Sequence, residues 1–144
     1  MTQTPTDTPN HRAIGFFENL PHAKSLGMVI EKMVDGHAVM HMPWRDALVG
    51  DPETGVIHGG AVSALMDTCC GAAAMCHPGA TGGTATLGLR IDYMRAATPG
   101  QTIRVEATCY HITRSVAFVR AVALDDDRDR PVATATGTFT VEGG

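Results

Sequence analysis

The sequence predicts an α+β domain in which an antiparallel sheet wraps around one central helix. Three observations support this class: two strand-like segments come first, one long apolar helix follows them, and four more strand-like segments complete the chain. Strands grouped before and after a single helix favour an α+β fold over one in which strands and helices alternate. The chain of 144 residues is long enough for one hydrophobic core.

The N-terminal part divides into a tail and a short helix. Residues 1–10 are rich in threonine and proline and show no apolar period, so we expect a disordered tail followed by a single domain over 11–144. His11–Asn19 is predicted to be a short amphipathic helix, and its apolar pattern extends one residue further, to Leu20. The apolar positions are Ile14, Phe16, Phe17 and Leu20.

Two strands joined by a tight turn are predicted next. They are Leu26–Val34 and His37–Met42, and the Asp35-Gly36 dipeptide between them suits a hairpin. His37 and His41 share one face of the second strand because side chains repeat every two residues. Without a third ligand nearby in the pattern, we interpret both as surface histidines rather than as a metal site.

The longest predicted helix, Gly59–Cys76, organises the chain. It follows Trp44–Ile57, which is predicted to be an irregular loop because its turn residues prevent regular structure. The helix is rich in alanine, leucine and methionine and is apolar on every face, so we expect it to be buried all round. Its only charged residue is Asp67.

A carboxylate in apolar surroundings needs either a structural partner or a chemical role. Asp67 is therefore interpreted as a structural hydrogen-bonding residue or as a general base or nucleophile. Gly59 and Gly60 favour the chemical role, because their bare backbone N–H groups at the positive end of the helix dipole suit a developing oxyanion. Gly59 and Asp67 are eight positions apart, which is about 12 Å of helix rise. One carbonyl reaches both only if two antiparallel copies of the helix share the site, so we expect an obligatory dimer.

Four strand-like segments follow the helix, at 84–94, 101–112, 115–124 and 132–141. In the first of them one face is apolar, which is the pattern of a half-buried strand. The residues of that face are Ala85, Leu87, Leu89, Ile91 and Tyr93. Asp125–Arg130, between the last two strands, is predicted to be a solvated hairpin tip, since its acidic spacing does not match a calcium loop.

Composition narrows the function classes. The formal net charge of −4 argues against bulk binding of nucleic acid. No signal peptide is visible, and Asp67 argues against a membrane span, so we expect a cytoplasmic protein. The four cysteines show no paired metal-type spacing and are predicted to be reduced core thiols. They are Cys69, Cys70, Cys76 and Cys109.

Three motifs in order resemble one family. His58-Gly59-Gly60 followed by Asp67 resembles the signature of PaaI-like (phenylacetate-pathway) hotdog-fold thioesterases. Asn19–Met28 resembles the segment that leads into that fold, and Leu89–Arg95 resembles the strand after its helix. The resemblance covers nearly the whole chain. It implies a hotdog fold, an antiparallel sheet wrapped around a long central helix, that dimerises into a double hotdog and further into a homotetramer.

The resemblance also implies an activity, the hydrolysis of an acyl-CoA thioester to free acid and CoA. The Gly59 N–H would polarise the carbonyl with help from Gly60, and the partner's Asp67 would act as base or nucleophile. His58 would shape the turn or orient the substrate. Thr86 aligns with a position where related enzymes carry a Ser or Thr that positions water.

One position departs from the family pattern. Where relatives often have Asn or Gln upstream of the His-Gly-Gly motif, this chain has Asp51 or Pro52, and only Asp51 offers a side chain for substrate binding. No metal or separate cofactor is expected, since CoA is part of the substrate. Its phosphates would need cations. The candidates are Arg90, Arg95, Arg104, Arg114 and Arg120.

Two other functions remain open from the residues. A non-catalytic hotdog module would bind acyl-CoA without releasing a thiol. A hotdog dehydratase or hydratase would pair a histidine with a carboxylate, as His58 and Asp67 superficially do, although the two glycines after His58 fit the thioesterase pattern better.

Overall fold

The computed structural model describes residues 11–142, so the tail predicted at 1–10 lies outside the described residues. The first elements are α1 (His11–Glu18), α2 (Pro21–Leu26), β1 (Val29–Val34) and β2 (His37–Met42). The predicted α1 and the predicted hairpin are confirmed. The turn residues Asp35 and Gly36 both have positive φ angles, 48° and 81°. This pair of angles gives a turn whose twist matches that of the flanking strands.

Helix α2 differs from the prediction, in which a strand begins at Leu26. Pro21 lies in the first helical turn, where its missing N–H has no intrahelical partner to lose. Gly27 ends the helix in the left-handed conformation, with a φ angle of 74°. The strand therefore begins at Val29, three residues later than predicted.

Regular structure also occupies Trp44–Ile57, which is predicted to be a loop. It comprises a 3₁₀ helix (Asp46–Leu48) and a hairpin of β3 (Val49–Asp51) and β4 (Val56–Ile57). The Asp51 carboxylate accepts hydrogen bonds from the Glu53 N–H at 3.0 Å and from the Thr54 hydroxyl at 2.9 Å. The prediction is wrong because these turn residues, instead of preventing regular structure, close a short hairpin.

The central helix and the four later strands are confirmed. They are α3 (Gly59–Met75), β5 (Thr84–Tyr93), β6 (Ile103–Ile112), β7 (Val116–Leu124) and β8 (Ala133–Val141). Six strands form one antiparallel sheet in the order β1-β2-β6-β7-β8-β5, and α3 contacts all six. Leu65, Met66 and Cys69 of the helix are fully buried against sheet residues such as Met40 and Ile103. The predicted α+β arrangement, a sheet around a central helix, is therefore correct.

One stripe of α3 is not covered by the rest of the chain. Ser63, Ala64, Asp67 and Thr68 are partly exposed, and Gly59 at the helix start is exposed. The expectation that the helix is buried all round is therefore wrong for a single chain. The six-stranded sheet reaches only part of the way around the helix, and the uncovered stripe lies on the side of edge strand β5, which carries the Thr86 contact to Asp67.

A β-bulge changes the faces of β5. The pairing of β5 with β8 shifts between Thr86 and Gly88, so Leu87 is an extra residue. Thr86 consequently lies on the same face as Leu89, opposite Phe139 and Gly137, while Ala85 and Gly88 lie on the other face. The simple alternation that groups Ala85 and Leu87 with Leu89 is wrong, because one inserted residue reverses the phase of the strand.

The acidic run after β7 is also different from the predicted solvated tip. Asp125 is only 5% exposed, and both its oxygens accept hydrogen bonds from Arg95, at 2.6 and 2.8 Å. The Arg95 guanidinium holds the pKa of Asp125 well below its ordinary value, and the Thr98 hydrogen bonds act in the same direction. The pair ties the end of β7 to the segment after β5, whereas Asp126 and Asp129 are exposed as expected.

No helix within residues 11–142 combines the length and the apolar character that crossing a membrane requires.

Candidate active site at the start of the central helix

His58 caps helix α3 and shapes its first turn. It has extended backbone angles (φ −60°, ψ 133°), and its Nδ1 accepts a hydrogen bond from the Gly60 N–H at 2.8 Å. A Cβ on Gly60 would lie 2.8 Å from that nitrogen, so glycine is required for the close contact. Because Nδ1 is an acceptor, the neutral imidazole carries its proton on Nε2. The Gly60 amide is thus already engaged within the chain.

The Gly59 amide is the uncommitted donor of this turn. Gly59 is the first residue of the helix and is exposed. Among residues 11–142 no acceptor contacts its N–H, which points out of the positive end of the helix dipole. A single free backbone donor at this place can bind a carbonyl oxygen that gains negative charge.

Asp67 and Thr86 are brought together. The Thr86 hydroxyl donates a hydrogen bond to Oδ1 of Asp67 at 2.8 Å, and the bulge at Leu87 gives Thr86 the orientation that makes this possible. In the part of the chain that the structure describes, no cationic side chain lies within 4.0 Å of the Asp67 carboxylate. Its other oxygen, Oδ2, accepts no hydrogen bond from residues 11–142, and the residue lies on the partly exposed stripe of the helix.

Tyr93 is a site residue that sequence reasoning missed. Its hydroxyl donates a hydrogen bond to the Gly59 carbonyl at 2.6 Å and is hydrogen-bonded to the Ser63 hydroxyl. A signal exists in the sequence, since a tyrosine ends the strand whose other end carries Thr86. This tyrosine indicates a site residue only once strand β5 is known to run along helix α3.

A largely apolar cavity of about 310 Å³ adjoins Gly59. Tyr93 and Met94 form part of its wall, and the remaining apolar walls come from β4, from α3 and from the segments before β8. These further residues are Val56, Ile57, Val62, Ala97 and Val132. A larger cleft of about 530 Å³ is lined by charged side chains, among them Glu31 and Arg104, and contains none of the predicted catalytic residues. The smaller cavity is the one that adjoins the free donor.

The cysteines are excluded as nucleophiles. All four are free and buried, which confirms the prediction of reduced core thiols. Burial raises the pKa of the Cys70 thiol to about 12, and the charge of Asp67 adds to the rise. Burial likewise raises the pKa of Cys76 to about 11 and that of Cys69 well above its ordinary value. Thiols this hard to ionise are poor nucleophiles at neutral pH.

Several predicted residues lie outside this arrangement. Asp51 faces its own hairpin turn and does not line the cavity beside Gly59. His37 contacts the Thr108 hydroxyl at 3.2 Å, and His41 lies 3.5 Å from Glu31. Within residues 11–142 no three His, Cys, Asp or Glu side chains are grouped as a metal site would need.

The five arginines proposed for phosphate binding differ in availability. Three form ion pairs, namely Arg90 with Asp92, Arg95 with Asp125 and Arg104 with Glu31. Arg120 lies over the ring of Tyr110, 5.0 Å from its centroid, and Arg114 has no ion pair in the described chain. Of the five, Arg114 and Arg120 are therefore the two whose charge is not paired with a carboxylate of the described chain.

An antiparallel sheet around one long helix, with a free amide at the helix start and a carboxylate two turns on, defines a hotdog-fold protein. Residues 54–132 match the model of the thioesterase superfamily, so the chain belongs to this superfamily and is a thioester hydrolase. It is 26% identical to the medium/long-chain acyl-CoA thioesterase YigI of Escherichia coli K12, over 88% of each chain.

Solved structures agree with this assignment. A Pseudomonas aeruginosa protein is 38% identical, with a TM-score of 0.80 over 90% of this chain and 96% of that one. The PaaI protein of the E. coli phenylacetic acid degradation operon has a TM-score of 0.81 at 24% identity, over 95% of this chain and 98% of that chain. At that identity it shows the fold alone. Together these similarities confirm the PaaI-like hotdog resemblance.

Proposed function

We propose that the protein hydrolyses acyl-CoA thioesters to the free acid and CoA, in active sites shared by two copies of the chain. The observation that carries the proposal is the arrangement on one uncovered stripe of α3. The free Gly59 N–H lies at its start, and Asp67, held by Thr86, lies two turns further on. The similarity to YigI and the apolar cavity beside Gly59 support an acyl-CoA substrate.

The chemistry uses few groups. The thioester oxygen binds the Gly59 N–H, which stabilises the negative charge that grows on it during attack. As a base, the partner's Asp67 takes a proton from water while the water oxygen bonds to the carbonyl carbon. The C–S bond then breaks, and the CoA thiolate takes up a proton. As a nucleophile, the same carboxylate would form an anhydride that water hydrolyses. In either route Thr86 orients the carboxylate through its 2.8 Å hydrogen bond.

A dimer is required because Gly59 and Asp67 of one chain are about 12 Å apart along the helix. Two α3 helices that lie antiparallel across an axis near Ser63 place Gly59 beside the partner's Asp67. Ser63 and Ala64 are small and partly exposed, so they allow a close approach of the second helix. Each site then consists of an amide from one copy and a carboxylate from the other.

The edge of the sheet supports the same dimer. Strand β5 is ten residues long, pairs on only one side within the described part of the chain, and exposes Leu87 and Tyr93 at 59% and 49%. Such an edge readily pairs with another strand. In each chain Tyr93 contacts Gly59 and Thr86 contacts Asp67. Antiparallel pairing of two β5 strands about their middle brings the end of one strand that carries Tyr93 beside the end of the other that carries the partner's Thr86, and so brings the two halves of a site together.

Other parts of the function are also proposals. CoA enters as part of the substrate, and of the five candidate arginines Arg114 and Arg120 are the two that form no ion pair within residues 11–142 and so are available for its phosphates. Further pairing into a dimer of dimers and a cytoplasmic location stay predictions. His58, whose Nε2–H points away from its cap contact, is a candidate to orient the substrate.

The test is thiol release from aryl-, short-, medium- and long-chain acyl-CoAs. Asp67→Asn should lower kcat by about 10³-fold while the dimer persists in light scattering. Asp129→Asn, which removes an exposed carboxylate that forms no ion pair within residues 11–142, is the matched control and should leave kcat unchanged. Wild-type rates in Asp67→Asn would remove this carboxylate from the mechanism. Saturable acyl-CoA binding without thiol release, or dehydration of a hydroxyacyl-CoA, would contradict the proposed reaction.

A further inference from the structure

Tyr93 links the edge strand to the first turn of the helix through its hydroxyl group. The hydroxyl donates to the Gly59 carbonyl oxygen at 2.6 Å, and it is also hydrogen-bonded to Ser63. A phenol has only one O–H group to donate, and here it donates to the Gly59 carbonyl. The Ser63 hydroxyl must therefore be the donor in the bond between Ser63 and Tyr93. Tyr93 thus holds the carbonyl of Gly59, the middle residue of the His-Gly-Gly motif, and Ser63 holds Tyr93.

The contact continues through the peptide group. The Gly59 carbonyl and the Gly60 N–H belong to the same peptide unit, and that N–H donates to Nδ1 of His58 at 2.8 Å. A directed chain of hydrogen bonds therefore runs from Ser63 through Tyr93 and this peptide to the His58 ring. Each bond in such a chain polarises the next, and the last one sets the position of the imidazole proton.

The helix start needs such support. Two successive glycines lose more backbone entropy on ordering than any other pair, so an unsupported Gly59-Gly60 turn would fray. A donor for an oxyanion, by contrast, must keep its direction within a small tolerance. The Tyr93 ring also packs beside Gly59, 3.7 Å from the place of its missing Cβ. Its hydroxyl and ring together restrict rotation of the turn.

We propose that Tyr93 is a positioning residue of the thioesterase site, with Ser63 acting through it, and that it fixes the Gly59 amide and the His58 tautomer. The inference rests on the proposed function, since it assigns Tyr93 a part in presenting the oxyanion donor. Tyr93 touches no reacting atom. Its contribution is to hold the turn in the geometry that stabilises the transition state.

Kinetics provide the first test. Tyr93→Phe keeps the ring and removes the hydroxyl, and should lower kcat about tenfold with KM changed less than about twofold. Ser63→Ala should lower kcat about threefold. The double variant should be no slower than Tyr93→Phe alone, because Ser63 acts only through the phenol. Tyr110→Phe, on the exposed tyrosine beside Arg120, is the matched control and should retain wild-type kcat.

Nitrogen-15 NMR of His58 gives a readout that does not depend on turnover. The wild type should show a neutral ring protonated at Nε2, and Tyr93→Phe should show a mixture of tautomers and about tenfold faster exchange of the Gly60 amide. Ser63→Ala should show a smaller change of the same kind. Unfolding temperature and dimer mass, measured in parallel, should stay close to the wild type.

The outcomes separate the two proposals. Wild-type thiol release with an unchanged kcat and tautomer in Tyr93→Phe would overturn the positioning role and leave the proposed function intact. Additive kinetic losses in the double variant would also overturn it. If the wild type does not hydrolyse acyl-CoA but Tyr93→Phe shows the expected change in the His58 tautomer, the proposed acyl-CoA substrate is rejected. The positioning role of Tyr93 through its hydrogen bonds is then still supported.

Discussion

Removal of one hydrogen-bond donor tests the central claim about the helix start. Gly59→Pro replaces the backbone N–H by a ring carbon at the first position of α3, where proline is well tolerated. The preceding residue, His58, already has the extended angles (φ −60°, ψ 133°) that proline requires of its neighbour. Since no residue among 11–142 accepts a bond from this N–H, the substitution breaks no contact within the chain.

The expected loss follows from the role of the donor. Removing one oxyanion donor lowers kcat by about 10²- to 10³-fold, or about 3–4 kcal/mol of transition-state stabilisation. The proline ring also occupies space near the substrate, so KM is expected to rise, and kcat carries the test. Gly59→Ala is the matched control because it keeps the N–H. Its Cβ would meet the Tyr93 ring at 3.7 Å, an ordinary contact, so kcat should stay within about threefold.

The assay is release of free thiol from a saturating acyl-CoA, with unfolding temperature and dimer mass measured on the same samples. Gly59→Pro should fold, dimerise and turn over slowly, whereas Gly59→Ala should turn over almost normally. A kcat for Gly59→Pro within threefold of the wild type would refute the reasoning, because the reaction would then proceed without the donor that defines the site.

Three further predictions follow from other contacts. Mixing Gly59→Pro with Asp67→Asn subunits should restore about a quarter of wild-type activity, since about half of the dimers then hold one intact site of two; no recovery would rule out shared sites. Asp125→Asn should lower the free energy of unfolding at pH 7 by about 3 kcal/mol. The depressed pKa of Asp125 means that this stabilisation is complete above about pH 4 and is lost as pH falls further, so urea titrations at pH 7 and pH 3 should show the difference shrinking. Burial of Cys70 and the other thiols should make labelling by a disulfide reagent at pH 8 slow in the native protein and complete for all four in denaturant.

The regular elements could be predicted because their signals are local. The Asp35-Gly36 turn, the long helix without proline and the alternation of the later strands each depend on a few neighbouring residues. Thr86 is proposed as a site residue from a family resemblance rather than from a pattern, and the structure shows its hydroxyl donating a hydrogen bond to Asp67 at 2.8 Å, a contact that the sequence did not predict.

Contacts between segments far apart in the chain could not be predicted from the sequence. The bulge at Leu87 depends on the register of β5 against β8, and without it Thr86 would face away from the helix. Asp125 lies in a run of charges that is typical of solvated turns, and its burial becomes possible only because Arg95, thirty residues earlier, folds back on it. The same long-range dependence hides Tyr93, whose role depends on where β5 ends relative to α3.

The failed expectation of a fully buried helix bears on the dimer. A stripe with small Ser63 and Ala64 beside an ionisable Asp67 is a poor surface for a solvated helix, yet it suits close packing against a second helix. The free edge of β5 lies on the same side of the chain, because its Thr86 contacts that stripe. A single partner that covered the stripe would therefore also pair the edge. The all-round apolar pattern would then be a property of two chains, and Asp67, the one charged residue of the helix, would lie where the proposed chemistry needs a carboxylate.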